Sequence, residues 1–151
     1  MPVKILMVCL GNICRSPLAE GILQSKVDPE KVIVDSAGTG GWHIGNQPDE
    51  RSIAVGLEHG IDIRHQRCRQ FTPADFDRFD RIYVMDKSNR KTVLKLAGAK
   101  GNKEKVKLLL QEATIGTDEV PDPYYGGSDG FEKVYQMLDK ACESIAKGLT
   151  I

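Results

Sequence analysis

The chain has 151 residues, 40% hydrophobic and 28% charged, and its 21 basic residues cancel 21 acidic ones. That length suits one domain with one sizeable core, and the balanced charge excludes a global field that would draw in nucleic acid or an anionic membrane. The apolar N-terminal run MPVKILMVCLG is too short for a signal peptide and no later run is long enough to span a bilayer, so the expectation is a cytoplasmic protein whose cysteines stay reduced.

Strand-like and helix-like patterns alternate along the chain. Residues 3–9 (VKILMVC) read as a first strand. Ser16 followed by Pro17 predicts a helix start, with Ser16 as N-cap and Pro17 at the first helical position, where a missing N–H costs nothing. Leu18, Ala19, Ile22 and Leu23 give that helix its apolar stripe. Residues 32–38 (VIVDSAG) form a second strand. A helix after NQPDE runs to Gly60, with Ile53, Ala54 and Leu57 expected on its core face. RHQRCRQ, residues 64–70, is the one concentrated basic stretch, expected as a solvated loop without chemistry at Cys68. Thr72-Pro73 opens a short helical turn, and residues 81–85 (RIYVM) are a third strand. Ser88 is expected to cap a helix carrying Val93, Leu96 and Ala97, and residues 105–110 (KVKLLL) are a fourth strand. In the last helix Phe131, Val134, Tyr135, Leu138, Ala141, Cys142 and Ile145 recur at helical spacing, with Gly148 as C-cap.

That alternation implies right-handed crossovers and a parallel sheet covered on both faces. Residues 1–151 therefore read as a single α/β domain, a three-layer sandwich of four parallel strands between helices. In such sheets ligands bind beyond the carboxyl ends of the strands, and Cys9 ends the first strand.

The stretch VCLGNICRSPLAEG begins at residue 8 and contains Cys-x5-Arg. Gly11 and Asn12 tolerate positive φ, so the loop can curl with successive N–H groups pointing inward. The helix that follows adds the positive end of its dipole, and Arg15 adds a planar fork that matches two phosphate oxygens. Leu10, Gly11, Asn12, Ile13, Cys14 and Ser16 would thus surround an oxyanion above Cys9. Such a field favours a thiolate nucleophile, but complete ionisation raises the thiolate fraction only about 30-fold over a free thiol. A positioned general acid is worth ~10²–10⁴-fold, so a proton donor is required elsewhere. Asp122 in VPDPYYGG fits: Pro123 holds it out of helical geometry, and Tyr124 and Tyr125 can line an aromatic slot. Cysteines at 9, 14, 68 and 142 do not pair into CxxC spacings and the chain has three histidines, so a structural zinc site is not expected; no cofactor is expected either.

VCLGNICRSPLAE, with VDSAGT, VMDKSN and DPYYG in the same order, resembles the low-molecular-weight protein tyrosine phosphatase family along nearly the whole chain. The resemblance implies a four-stranded parallel sheet, a phospho-cysteine intermediate and metal-free hydrolysis of phosphotyrosine on proteins. Carried over by position, Cys9 resembles the nucleophile, Arg15 the transition-state clamp and Asp122 the general acid and base. Asn12, Ser16 and Ser36 resemble the residues that brace the loop and thiolate. Leu10, Trp42, Tyr124 and Tyr125 resemble the cleft walls, and Asp86 is expected to support the loops. Cys14 resembles a partner that traps oxidised Cys9 as a disulfide, whereas Cys142 belongs to the core. One departure is Gln66, which stands where relatives often carry the histidine that braces the loop asparagine, leaving the bracing of Asn12 in question.

Other functions are weighed on the same residues. Arsenate reduction on this scaffold needs further cysteines near the third strand, and RIYVMDKSNRKTVLKLAG has none. A smaller pocket would suit arginine phosphate, against which Trp42, Tyr124 and Tyr125 argue mildly. A non-catalytic phosphate module would have lost Cys9, Arg15 or Asp122. A nucleotide-binding loop would need Lys-Ser or Lys-Thr after its glycines. The partners expected are phosphotyrosine proteins and inorganic phosphate or other oxyanions, without nucleic acid or membrane, and the chain is expected to be a monomer.

Overall fold

The structure is a computed structural model that describes residues 2–97, 103–124 and 128–149. Four strands, β1 (Val3–Cys9), β2 (Val32–Gly38), β3 (Arg81–Val84) and β4 (Val106–Leu108), form one parallel sheet in the order β2-β1-β3-β4. The helices are α1 (Arg15–Lys26), α2 (Glu50–Glu58), α3 (Asp75–Arg78), α4 (Lys87–Ala97) and α5 (Ser128–Leu149). This is the expected α/β sandwich.

The alternation of side chains along β1 explains its two-sided burial. Ile5, Met7 and Cys9 pack on one face with Leu18 and Ile22 of α1 and Leu138 and Cys142 of α5. Leu6 and Val8 pack on the other with Val93 and Ala97 of α4 and Phe76 of α3. The strand order turns back at β1, whose two neighbours are reached by crossovers running in opposite directions. Such a switch point opens a crevice at the strand ends, and β1 and β3 end there at Cys9 and Val84.

Several local expectations are corrected. Helix α1 starts at Arg15 with Cys14 before it, so Ser16 is not its cap and Pro17 is its third residue. Proline is still accommodated, because the first four N–H groups of a helix have no internal partner. On α2 the buried positions are Ser52, Val55 and Gly56, while Leu57 is exposed and Ile53 is half-buried. Asp86, not Ser88, caps α4: its Oδ1 accepts the Asn89 N–H at 2.8 Å. Leu96 is exposed. Strand β4 stops at Leu108, where a 3₁₀ turn over Leu109–Glu112 begins, and Gly148 lies within α5 instead of capping it.

Candidate active site

Five carbonyls of the loop after β1 are tied to groups outside it. The Thr39 N–H donates to Cys9 O at 2.9 Å, the Gly40 N–H to Leu10 O at 2.8 Å and the Asp49 N–H to Ile13 O at 2.8 Å. The Cys68 thiol donates to Asn12 O at 2.9 Å and the Ser52 hydroxyl to Cys14 O at 3.3 Å. A trans peptide points its N–H opposite its C=O. The N–H groups of Leu10, Gly11, Ile13, Cys14 and Arg15 are thereby turned away from those anchors, making the concave set of donors that an anion needs. Asn12 is the only non-glycine with positive φ among the described residues, at 57°, a conformation asparagine tolerates better than most side chains. The close approach of β2 completes the packing. A Cβ on Gly38 would lie 2.9 Å from Leu10 O and 3.0 Å from Asn12 N, so only glycine fits.

Side chains beneath the loop form one hydrogen-bonded chain. The Cys9 Sγ lies 3.0 Å from Ser16 Oγ, which accepts from Asn12 Nδ2 at 2.8 Å. The same Nδ2 donates to Ser36 Oγ at 3.0 Å, and the Ser36 hydroxyl donates to Glu20 Oε1 at 2.7 Å. Asn12 Oδ1 accepts the Arg69 N–H at 3.0 Å. Asn12 is therefore braced by Ser16, Ser36 and Arg69. Gln66 has no part in it, since its Nε2 donates instead to Pro17 O at 3.0 Å, tying the 64–70 segment to α1.

The basic stretch is thus only partly a surface loop. Arg64, His65 and Arg67 are exposed, while Gln66 and Cys68 are buried. Arg69 pairs with Asp35 and with the fully buried Asp75 at 3.2 Å each.

Arg15, with only 2% of its side chain exposed, donates Nη1 to Asp86 Oδ2 at 2.7 Å and to Val120 O at 3.0 Å. Burial alone would disfavour its charge, but the neighbouring Cys9, Asp86 and Asp122 outweigh that and hold the guanidinium protonated above its ordinary range. Its Nη2 lies 3.6 Å from Asp122 Oδ2. Asp122 Oδ1 accepts the Tyr124 N–H at 3.0 Å, and the Val120 N–H donates to Met85 O at 2.8 Å, which ties this segment to the end of β3. Cys14 lies within the loop, and burial, with Asp49 and Cys9 beside it, pushes its thiol up to about 12. Cys142 donates from α5 to Ala19 O in the core, where burial raises its pKa as well.

These groups open into a cleft of about 370 Å³. Cys9, Gly11, Ile13, Cys14 and Arg15 line its floor, and Leu10, Trp42, His43, Asp122 and Tyr124 its walls. Trp42, 70% exposed, stands at the rim. Tyr124 is held from behind by Arg51, whose Cζ lies 5.3 Å from the ring centroid, while Asp49 pairs with the same guanidinium at 3.1 Å. Tyr125 lies outside the described residues. The structure thus brings Leu10, Gly11, Ile13, Cys14, Trp42, Asp122 and Tyr124 to one cleft with Cys9 and Arg15, and sets Asn12, Ser16, Ser36 and Asp86 in contact with them, while Gln66 and Cys142 stay outside it. It adds His43, Asp49, Ser52, Cys68 and Glu20, of which only Asp49, an acidic residue preceding a helical pattern, carried a signal in the sequence. Among the described residues no group of three or more histidine, cysteine or acidic side chains is placed to hold a metal ion, and no helix is long and apolar enough to cross a membrane.

The family model described as low molecular weight phosphotyrosine protein phosphatase matches residues 4–150. A protein of that name from Schizosaccharomyces pombe is 39% identical over 153 residues, covering 97% of each chain. Among solved structures, a protein tyrosine phosphatase from Entamoeba histolytica with Hepes in its active site superposes with a TM-score of 0.91 at 41% identity, over 97% of this chain and 96% of that one. Wzb from Vibrio vulnificus in complex with benzylphosphonate superposes with a TM-score of 0.87 at 34% identity, over 97% and 98% of the two chains.

Proposed function

The chain belongs to the low molecular weight phosphotyrosine protein phosphatase family and is a protein-tyrosine-phosphatase, and on that premise we propose that it hydrolyses phosphotyrosine on proteins through a phospho-cysteine at Cys9. The observation that carries this reading is the outward anchoring of five loop carbonyls around Cys9, which leaves amide hydrogens for three phosphoryl oxygens.

In this mechanism the Cys9 thiolate, accepting a hydrogen bond from Ser16, attacks phosphorus in line with the tyrosyl oxygen. The S–P bond forms as the P–O bond to the ring breaks, and protonated Asp122 gives its proton to the departing phenolate. Arg15 and the loop N–H groups hold the charge spread over the transferring oxygens, where preorganised donors act most strongly. Water then attacks phosphorus, the Asp122 carboxylate takes its proton, and inorganic phosphate leaves with the thiolate restored. Trp42, Leu10 and Tyr124 flank the aromatic ring of the substrate, and Tyr125 is assigned the same role. Benzylphosphonate, which the Vibrio vulnificus relative binds, has this shape: a tetrahedral anion one carbon from a flat ring.

The reaction draws on no cofactor and no metal. The enzyme acts as a cytoplasmic monomer of one domain on phosphotyrosine proteins, and it binds inorganic phosphate and similar oxyanions. Its nucleophile is redox-sensitive: a Cys9 sulfenic acid condenses with the Cys14 thiol, releasing water and leaving a reversible disulfide.

The test is turnover of phosphotyrosine, phosphoserine and phosphoarginine peptides with EDTA present. The phosphotyrosine peptide should dominate, and Cys9→Ser should abolish turnover while still binding phosphate. Preference for phosphoarginine, or activity lost to EDTA, would overturn the assignment.

A further inference from the structure

Three of the five donors that turn the loop carbonyls outward are backbone N–H groups, those of Thr39, Gly40 and Asp49. The other two are side chains, Cys68 and Ser52, which take no part in the chemistry above. Cys68 is 4% exposed and sits one residue before Arg69, whose N–H fixes the Asn12 side chain. Ser52 is fully buried on α2, and Asp49 at the cap of the same helix donates to Ile13 O. The loop is therefore clamped from three places, by the residues after β2, by the 66–69 segment and by the start of α2.

The peptide that Cys68 holds joins Asn12 to Ile13, between the end of β1 and the start of α1, so no strand or helix hydrogen bond fixes its orientation. If this peptide turned over, a carbonyl oxygen would replace the Ile13 N–H toward the cleft and repel any anion there. Nothing else among the described residues donates to Asn12 O.

We infer that Cys68 and Ser52 are positioning residues for phosphate: the Cys68 thiol pins the Asn12–Ile13 peptide and the Ser52 hydroxyl pins the Cys14–Arg15 peptide, so that the Ile13 and Arg15 N–H groups face the oxyanion. The inference rests on the phosphate-binding role of the loop proposed above. For Cys68 to act this way its sulfur must keep its hydrogen, and burial, with Cys9 nearby, pushes its pKa up to about 11. A thiol is a weak donor. In a buried site, however, the acceptor has no water to turn to, so losing even a weak donor leaves the carbonyl unpaired.

The experiment measures inhibition by inorganic phosphate, with kcat and KM for p-nitrophenyl phosphate and melting temperature, in the parent, Cys68→Val, Cys68→Ala, Cys68→Ser and Ser52→Ala. Valine keeps the apolar bulk of the thiol without a donor, and serine keeps a donor with less bulk. Pinning predicts that Cys68→Val, Cys68→Ala and Ser52→Ala weaken phosphate binding by about 3- to 10-fold, the worth of one neutral hydrogen bond. Cys68→Ser should stay within about twofold of the parent on the same scale. A role in packing alone predicts the opposite order, with valine harmless and serine damaging. That order, or equal phosphate affinity in all variants, overturns the inference. If Cys68→Val does not fold, the alanine and serine variants give the same comparison. Failure of the parent itself to bind phosphate would instead overturn the role of the loop, so the two failures are distinguishable.

Discussion

Asp122 is held without being buried. One carboxylate oxygen accepts the Tyr124 N–H at 3.0 Å while the other faces Arg15 across 3.6 Å. A proton donor at that point matters most when the leaving oxygen cannot depart as an anion. Asp122→Ala should therefore lower kcat/KM, which reports the phosphorylation step alone, by ~10²–10⁴-fold for phenyl phosphates of high leaving-group pKa, and far less for p-nitrophenyl phosphate or better leaving groups. A plot of log kcat/KM against leaving-group pKa should steepen in the variant, and an unchanged slope would remove Asp122 from the acid role. Glu20, at the far end of the hydrogen-bonded network that starts at Cys9, is a different case. Burial, reinforced by Asp35 and opposed by the Ser36 hydroxyl and Arg69, pushes its carboxyl from 4.5 to about 7. A carboxyl whose pKa is higher folded than unfolded binds a proton more tightly in the native state. Its contribution to stability is then complete below pH 4.5 and lost as the pH rises through about 7. The melting temperature of the parent relative to Glu20→Gln should fall across that window, and parallel curves would contradict the shift.

Elements were legible where their own residues decide them. The apolar run of β1 and the repeating stripe of α5 emerge as expected, because each depends on burial of one element's own side chains. Helix α2 did not, since its buried face is made of Ser52, Val55 and Gly56. Hydrophobic periodicity weights large side chains, while close packing against α1 and α5 selects small ones. The caps failed for a related reason. Ser16 and Ser88 have the chemistry of caps, but Ser16 is committed to Cys9 and Asn12, and Asp86 takes the position ahead of α4 while its second oxygen holds Arg15. At this scale the junction of β2 with the loop is the sharpest constraint. Gly38→Ala places a Cβ about 3 Å from backbone atoms of residues 10 and 12, and something must move. A displacement near 1 Å in a catalytic loop costs up to about 100-fold, so kcat/KM should drop by ~10- to 100-fold with the sheet intact by circular dichroism. Undiminished activity would mean that the loop is less tightly seated than its contacts indicate.

Across the molecule, the site is assembled from positions far apart in sequence. Cys9 and Arg15 come from the β1–α1 junction, Asp86 from the end of β3, and Asp122 from the segment between β4 and α5. The Cys-x5-Arg spacing and the Asp-Pro pair are local, so Cys9, Arg15 and Asp122, which the fold brings to one cleft, could be singled out from sequence alone. The groups that turn the loop inside out, from Thr39 to Cys68, are joined to it only by the folded chain. Their thiol, hydroxyl and amide hydrogens carry no pattern that marks them beforehand. The burial of Cys68 and its bond to Asn12 O, in a stretch expected to be a solvated loop, went unforeseen for that reason. The fold thus holds the loop after β1 as a fixed array of donors above a sulfur, and phosphoryl transfer to that sulfur is the central step proposed above. Rapid acid-free quenching of Asp122→Ala during turnover of p-nitrophenyl phosphate, followed by peptide mass mapping, tests it directly. One phosphoryl group should be found on the peptide containing Cys9, absent when Cys9→Ser is added. Turnover with no phosphorylated Cys9, or phosphate carried by another residue, would contradict it.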